Sequence, residues 1–211
     1  MKLHIAVMSA GMLALTSMSC ENPKSDPLVL IQTSAGDIVI EAYPEKAPIT
    51  VSNFLRYVDE ERFNTATFYR VVRTDNQPDN DTKIDVIQGG IGFVDSDLRL
   101  PPIVHETTRE TGIHHVFGTV SMARAEPGTA SSEFFICVRE GPELDFNGKR
   151  NPDGQGFAAF GRVIRGMDVV SAIHKLPADG QMLIAPVRIT SMRRVEKIAE
   201  DTDSGNVGGR R

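Results

Sequence analysis

The chain has 211 residues, 40% of them hydrophobic and 24% charged, the ordinary balance of one globular domain with short extensions. Its formal net charge of −5 and the absence of any basic stripe argue against nucleic acid as a partner. Trp is absent, so ten Phe carry most of the aromatic packing.

The first residues read as a secretory signal. Lys2 gives a basic start, Ile5 to Leu15 is apolar, and Thr16-Ser17-Met18-Ser19 leads to Cys20. The apolar stretch is too short to span a bilayer. A Cys after a small-residue stretch resembles a bacterial lipoprotein signal, with Ser17 standing where such signals usually carry Leu. The expectation is a signal peptide over 1–19, lipidation at Cys20, a linker over 20–27, one domain over 28–196 and a disordered tail over 197–211. Such a protein is exported to the periplasm and meets the membrane only through its lipid. Cys137 lies in the apolar run Phe134 to Val138 and, with Cys20 acylated, is expected to be a small buried hydrophobe.

Leu28 to Ile31 and Ile38 to Ala42 read as strands around the turn Ser34-Ala35-Gly36-Asp37. Pro48 opens a helical pattern with Val51, Phe54, Leu55 and Val58 on one face. Thr67 to Val72 is β-rich, and Thr74 to Lys83 has no apolar side chain except Pro78, which predicts an exposed loop. Further strands are expected at Val86 to Gln88, Thr119 to Ala123, Glu133 to Val138, Phe157 to Val163 and Val187 to Met192, with a second helix from Met167 to Ile173. Eight short strands with Gly and Pro turns favour a closed antiparallel barrel or a sandwich. Helical caps at the two ends of a barrel would account for the helices.

One side chain stands out. Strict alternation puts Arg70 on the same face as Phe68 and Val72, where a charge is costly unless it is paired or opens onto a cleft. Taken alone, it fits a solvated edge strand. Its neighbours point elsewhere. Phe68-Tyr69-Arg70-Val71-Val72, Ile87-Gln88-Gly89-Gly90, Ser121 to Ala125, Ser132 to Ile136 and Phe160-Gly161-Arg162-Val163 resemble the cyclophilin family of peptidyl-prolyl cis/trans isomerases in order and spacing. The resemblance covers about Leu28 to Val195 and implies a mainly β fold, an eight-stranded antiparallel barrel capped by two helices.

The resemblance implies catalytic roles for Arg70 and Gln88. It implies substrate binding by Val86, Arg124, Glu133, Phe135, Leu144 and Phe157, with Phe135 as the floor of a proline pocket. It implies proline-containing polypeptides as substrates, no cofactor, and a monomer. Glu133 stands where many members have Gln, and is expected either to pair with Arg70 or to compete for its donors. Asp85 falls where the family often has a second pocket Phe, and Glu143 where some members carry Trp, so cyclosporin sensitivity is expected to be weak.

Other patterns carry less. His105-Glu106 and His114-His115 lack the spacing of a zinc motif, and no metal is expected. The acidic loop Asp75 to Asp85 lacks the glycine and final Glu of a calcium loop. Ser121, Ser131 and Ser132 have no His and Asp partners at recognised spacing, which speaks against a hydrolase triad. Two other readings remain open: a low-turnover peptide-binding chaperone or assembly factor on the same fold, and a barrel that binds small apolar ligands.

Overall fold

A computed structural model describes residues 25–92 and 96–196. Cys20, the signal-like segment, most of the linker and the tail from 197 lie outside the described residues.

Nine strands form one antiparallel sheet: β1 (Leu28–Thr33), β2 (Gly36–Ala42), β3 (Thr67–Val72), β4 (Val86–Gly90), β5 (Thr119–Met122), β6 (Phe134–Cys137), β7 (Ala158–Arg165), β8 (Ala178–Asp179) and β9 (Met182–Val195). The order is β1-β2-β7-β5-β6-β4-β3-β9, and β9 pairs back onto β1, so eight strands close a barrel. Closure leaves no free edge in the ring. The ninth strand, β8, is a two-residue hairpin arm that pairs only with the start of β9. The expected eight-stranded barrel is therefore present. β8 escapes a search for apolar runs because it is too short to have one.

The two expected helices are α1 (Pro48–Asp59), with Pro at its start, and α3 (Met167–His174). A one-turn helix, α2 (Thr108–Thr111), lies between them in the chain. It is closed by a capping box, in which Glu110 accepts from the backbone and hydroxyl of Thr107, and by Gly112 in the left-handed region.

The barrel interior is filled, as eight strands allow. Phe54 and Tyr57 of α1 bring their rings into a cluster with Phe63, Phe134 and Phe160, with centroids 4.8 to 5.8 Å apart. Phe68 joins through Phe134 at 5.7 Å. A barrel around a small apolar ligand would need this space empty, so the packing removes that reading.

A second, smaller apolar cluster lies apart from this interior: Val72, Ile84, Val86, Phe135, Cys137 and Leu144, with Ala123 and Phe157 packed against it. It is the floor of a surface cleft. Cys137 is fully buried within it and unpaired among the described residues, and burial pushes its thiol well above the ordinary range. Inside the sheet it behaves as the small hydrophobe expected.

Candidate active site

The cleft begins with a break in the strand pattern. On β3, Phe68 pairs with Gly89 and Arg70 pairs with Gln88, so Tyr69 is an extra residue: a β-bulge. Phe68 and Val71 both point into the barrel interior, while Arg70 and Val72 line the outer cleft. The expected shared face of Phe68 and Arg70 is thus wrong, because one inserted residue flips the alternation. Gly89 permits the close pairing opposite Phe68. A Cβ there would sit 2.8 Å from both the Phe68 ring and the Thr67 carbonyl.

Arg70 is half-buried and held from two sides. One Nη1 donates to Gln88 Oε1 at 2.7 Å. Nε and Nη2 both donate to Gln181 Oε1, at 3.0 and 2.5 Å. A guanidinium has five N–H donors, so three are engaged and two remain. Both holding groups are neutral. They fix the cation without neutralising it, in contrast to a carboxylate fork. Burial lowers the Arg70 pKa and the nearby Tyr69 opposes that, but an arginine stays charged at physiological pH.

Behind Arg70 runs a polar chain. Gln88 Nε2 donates to Tyr69 Oη at 2.8 Å, and Tyr69 Oη donates to Glu133 Oε2 at 2.5 Å. Glu133 Oε1 accepts from Gly92 N at 3.0 Å and Ser132 Oγ at 2.9 Å, and lies 3.7 Å from Arg99 Nη1. Burial and the Glu133 charge push the Tyr69 phenol far up, so it stays a donor. Glu133 therefore neither pairs with Arg70 nor competes for its donors. Its carboxylate is used by Tyr69, Ser132, Gly92 and Arg99, and it reaches Arg70 only through Tyr69 and Gln88. Gly90 makes room for it: a Cβ at that position would fall 2.5 Å from Glu133 Oε2.

Arg70, Gln88, Val86, Arg124, Glu133, Phe135, Leu144 and Phe157 all line one cavity of about 440 Å³. Phe135 and Phe157 meet edge to face at 5.3 Å. Arg124 stacks over Phe157 at 5.3 Å and forks onto Asp153 at 2.8 and 2.9 Å, which makes it a firm lip on the cleft. Asp85 is elsewhere. It takes Thr74 Oγ1 at 3.1 Å and pairs with Arg139, while its neighbour Ile84 supplies the apolar surface. Glu143 also lies outside the cavity and accepts from Lys149 N at 3.0 Å.

Four residues were not singled out by sequence: Tyr69, Arg99, Arg150 and Gln181. Gln181 lies 111 positions from Arg70 in sequence, where no local pattern links them. The available signal was Asp179-Gly180, a tight hairpin dipeptide; Gly180 has φ 56°, and the turn delivers Gln181 beside Arg70. Half of the loop Thr74 to Lys83 is exposed and the rest partly covered, and Gln77 is buried and ties it to Arg73 O and Ile84 O at 2.7 and 2.8 Å.

Beneath the floor Ser121 meets a His and an Asp that no local sequence spacing links to it. His115 Nδ1 meets Asp145 Oδ1 at 2.6 Å, and His115 Nε2 meets Ser121 Oγ at 2.9 Å. The three are 30 and 6 residues apart, with no recognised spacing. Ser121 is fully buried, so no substrate reaches its hydroxyl. The arrangement is a support: the His115 ring stacks under Phe135 at 5.9 Å, and Asp145 follows Leu144. Burial depresses the His115 pKa, with Asp145 opposing. Burial raises that of Asp145, but bonds from His115, His114 and the His115 amide outweigh it and leave the carboxyl low.

A family model described as cyclophilin type peptidyl-prolyl cis-trans isomerase/CLD matches residues 28–194. The chain is 36% identical over 156 residues to peptidyl-prolyl cis-trans isomerase A of Dickeya dadantii, covering 72% of this chain and 73% of that one. It is 37% identical over 150 residues to peptidyl-prolyl cis-trans isomerase B of Escherichia coli, covering 69% and 83%. The fold matches a crystal structure of a Cryptosporidium parvum cyclophilin type isomerase with TM-score 0.63 at 19% identity, over 82% of this chain and 99% of that one. The same protein in the presence of the dipeptide Ala-Pro matches with TM-score 0.61 at 20% identity.

The buried His115 sets a pH dependence. Its folded pKa lies below the ordinary 6.5, so as pH falls the unfolded chain takes the proton first and stability drops from about pH 6.5 downward. The low Asp145 carboxyl adds a loss at still lower pH. Denaturant unfolding between pH 7 and 4 is expected to show a falling stability, by up to about 1.4 kcal/mol per pH unit for one proton. His115→Gln should flatten that slope; identical slopes would contradict the assignment.

Proposed function

The chain belongs to the cyclophilin-type peptidyl-prolyl cis-trans isomerases, and from that premise we propose that Arg70 catalyses rotation about X–Pro bonds in exported proteins as they fold. The carrying observation is a guanidinium locked by Gln88 and Gln181 that keeps two donors over an apolar, aromatic-floored cavity.

The chemistry needs little else. The X–Pro amide resists rotation with a barrier of about 18–20 kcal/mol, and uncatalysed exchange takes tens to hundreds of seconds. No bond breaks, so no nucleophile is required. In the twisted transition state the amide loses resonance, and the prolyl nitrogen becomes a hydrogen-bond acceptor. A fixed Arg70 N–H can donate to that nitrogen and thus binds the twisted form better than either planar one. Phe135, Val86, Leu144 and Phe157 grip the ring so the acyl arm turns about it. Gln88 and Gln181 hold the guanidinium in place, so its donors need little reorganisation as the amide twists.

A low-turnover chaperone would need the unusual Glu133 and Asp85 to spoil the site. Glu133 leaves Arg70's donors alone and Asp85 faces away, which supports turnover. Arg70→Ala should lower kcat/KM on a proline peptide about 10²–10³-fold, the usual cost of removing one transition-state donor. An unchanged rate in the folded variant would sink the catalytic role.

The same proposal includes export and a lipid anchor at Cys20, on the strength of the basic start, the apolar stretch and the small residues before the Cys. Intact-mass analysis of the membrane fraction of a bacterial host should find the chain starting at Cys20 and carrying acyl groups. An unmodified Cys20 in the mature protein would remove the anchor.

A further inference from the structure

The charges around the cleft do not cancel. Four arginines line it: Arg70, Arg99, Arg124 and Arg150. Arg124 is neutralised by the fork onto Asp153, and Arg99 lies beside Glu133. Arg70 and Arg150 have no carboxylate partner among the described residues. Arg150 Nη1 donates to Gln77 Oε1 at 2.8 Å and to Thr82 O at 2.7 Å, both neutral acceptors. Its neighbour Asn151 also lines the cavity, and the Asn151 Nδ2 is buried with no acceptor among the described residues. This wall thus offers donors in excess of acceptors.

Two half-buried cations facing one cavity repel each other, and burying an unpaired charge is costly. Burial pulls the Arg150 pKa down and the charge of Arg70 pulls it further. An anion between them would relieve both. The cavity is also polarised along β4. Arg150 sits at the Ile84 end through Gln77, which bonds Ile84 O, whereas Arg99 and Glu133 meet Gly92 at the other end. β4 spans about 17 Å at the usual strand rise, so a peptide gripped at its proline and laid along this strand would send one arm toward each end.

We propose that Arg150 makes this isomerase selective for proline peptides with a carboxylate side chain next to the proline, on the arm that runs toward the Ile84 end. The inference rests on the placing of proline over Phe135 beside Arg70. Arg150 acts here as a specificity determinant that binds substrate, while Arg70 remains the group addressing the prolyl nitrogen. The segment carrying Arg150 is tied to the cavity wall: Arg150 N donates to Glu143 O at 3.0 Å, and Phe157 N donates to Leu144 O at 2.9 Å. The cation is therefore offered from a braced loop.

The test compares isomerisation of matched proline peptides carrying Glu or Lys directly before, and directly after, the proline, with kcat/KM read as the Glu-to-Lys ratio. In one of the two positions the wild type should favour Glu by about three- to tenfold, the size expected of a partly exposed ion pair. The preference should shrink as ionic strength rises. Arg150→Gln should bring the ratio near one, and Arg150→Lys should keep most of it. Because each ratio is internal to one protein, a general loss of activity on releasing the Gln77 loop does not mask the outcome. No turnover of any peptide would overturn the isomerase reading itself. Turnover with ratios near one at both positions, or a Glu preference that survives Arg150→Gln, would overturn this inference alone.

Discussion

The site depends on one arrangement: a guanidinium held by two glutamine oxygens instead of a carboxylate. Gln88 and Gln181 take three of Arg70's donors and leave its charge intact. A carboxylate partner would hold the group as firmly but would answer much of its field. In the mechanism proposed above, the neutral clamp keeps the cation strong where it would meet the amide nitrogen, and the half-buried position weakens competition from water. Its cost is an electrostatically unsatisfied cleft, to which Arg150 adds.

The backbone makes the clamp possible. The bulge at Tyr69 turns Arg70 outward while leaving Phe68 and Val71 in the interior, so one strand serves the barrel core and the cleft together. β9 meets β3 in two separate pieces, pairing Val187 with Phe68 and Met182 with Arg70, and the Gly180-Gln181 hairpin turn just before Met182 brings Gln181 to the guanidinium. Below, the Ser121, His115 and Asp145 chain props the Phe135 floor. The Arg70 clamp and the structural packing thus use the same strands, which keeps the donors preorganised.

Much of this could be read from sequence, for physical reasons. The strands carried apolar runs and turn residues, and α1 carried a 3.6-residue stripe behind Pro48. Arg70, Gln88, Arg124, Glu133 and Phe135 lie in short blocks whose order survives in the cleft wall, whereas Val86, Leu144 and Phe157 lie outside those blocks. What stayed hidden were facts of spacing. A one-residue bulge looks like an ordinary alternating strand, so Arg70's face was misjudged. Gln181 acts across 111 residues, and the His115 chain joins positions with no fixed interval. Glu133 was recognised as unusual, but only the positions of Tyr69, Ser132 and Gly92 reveal where its charge goes.

The neutral clamp makes a direct claim about coupling. A double-mutant cycle over Arg70 and Gln181, read as catalysed cis/trans exchange of a proline peptide by NMR, addresses it. Gln181→Ala is expected to slow exchange strongly when Arg70 is present and to have no further effect in the Arg70→Ala protein. An unchanged rate for Gln181→Ala, or the same fractional loss in both backgrounds, would contradict it.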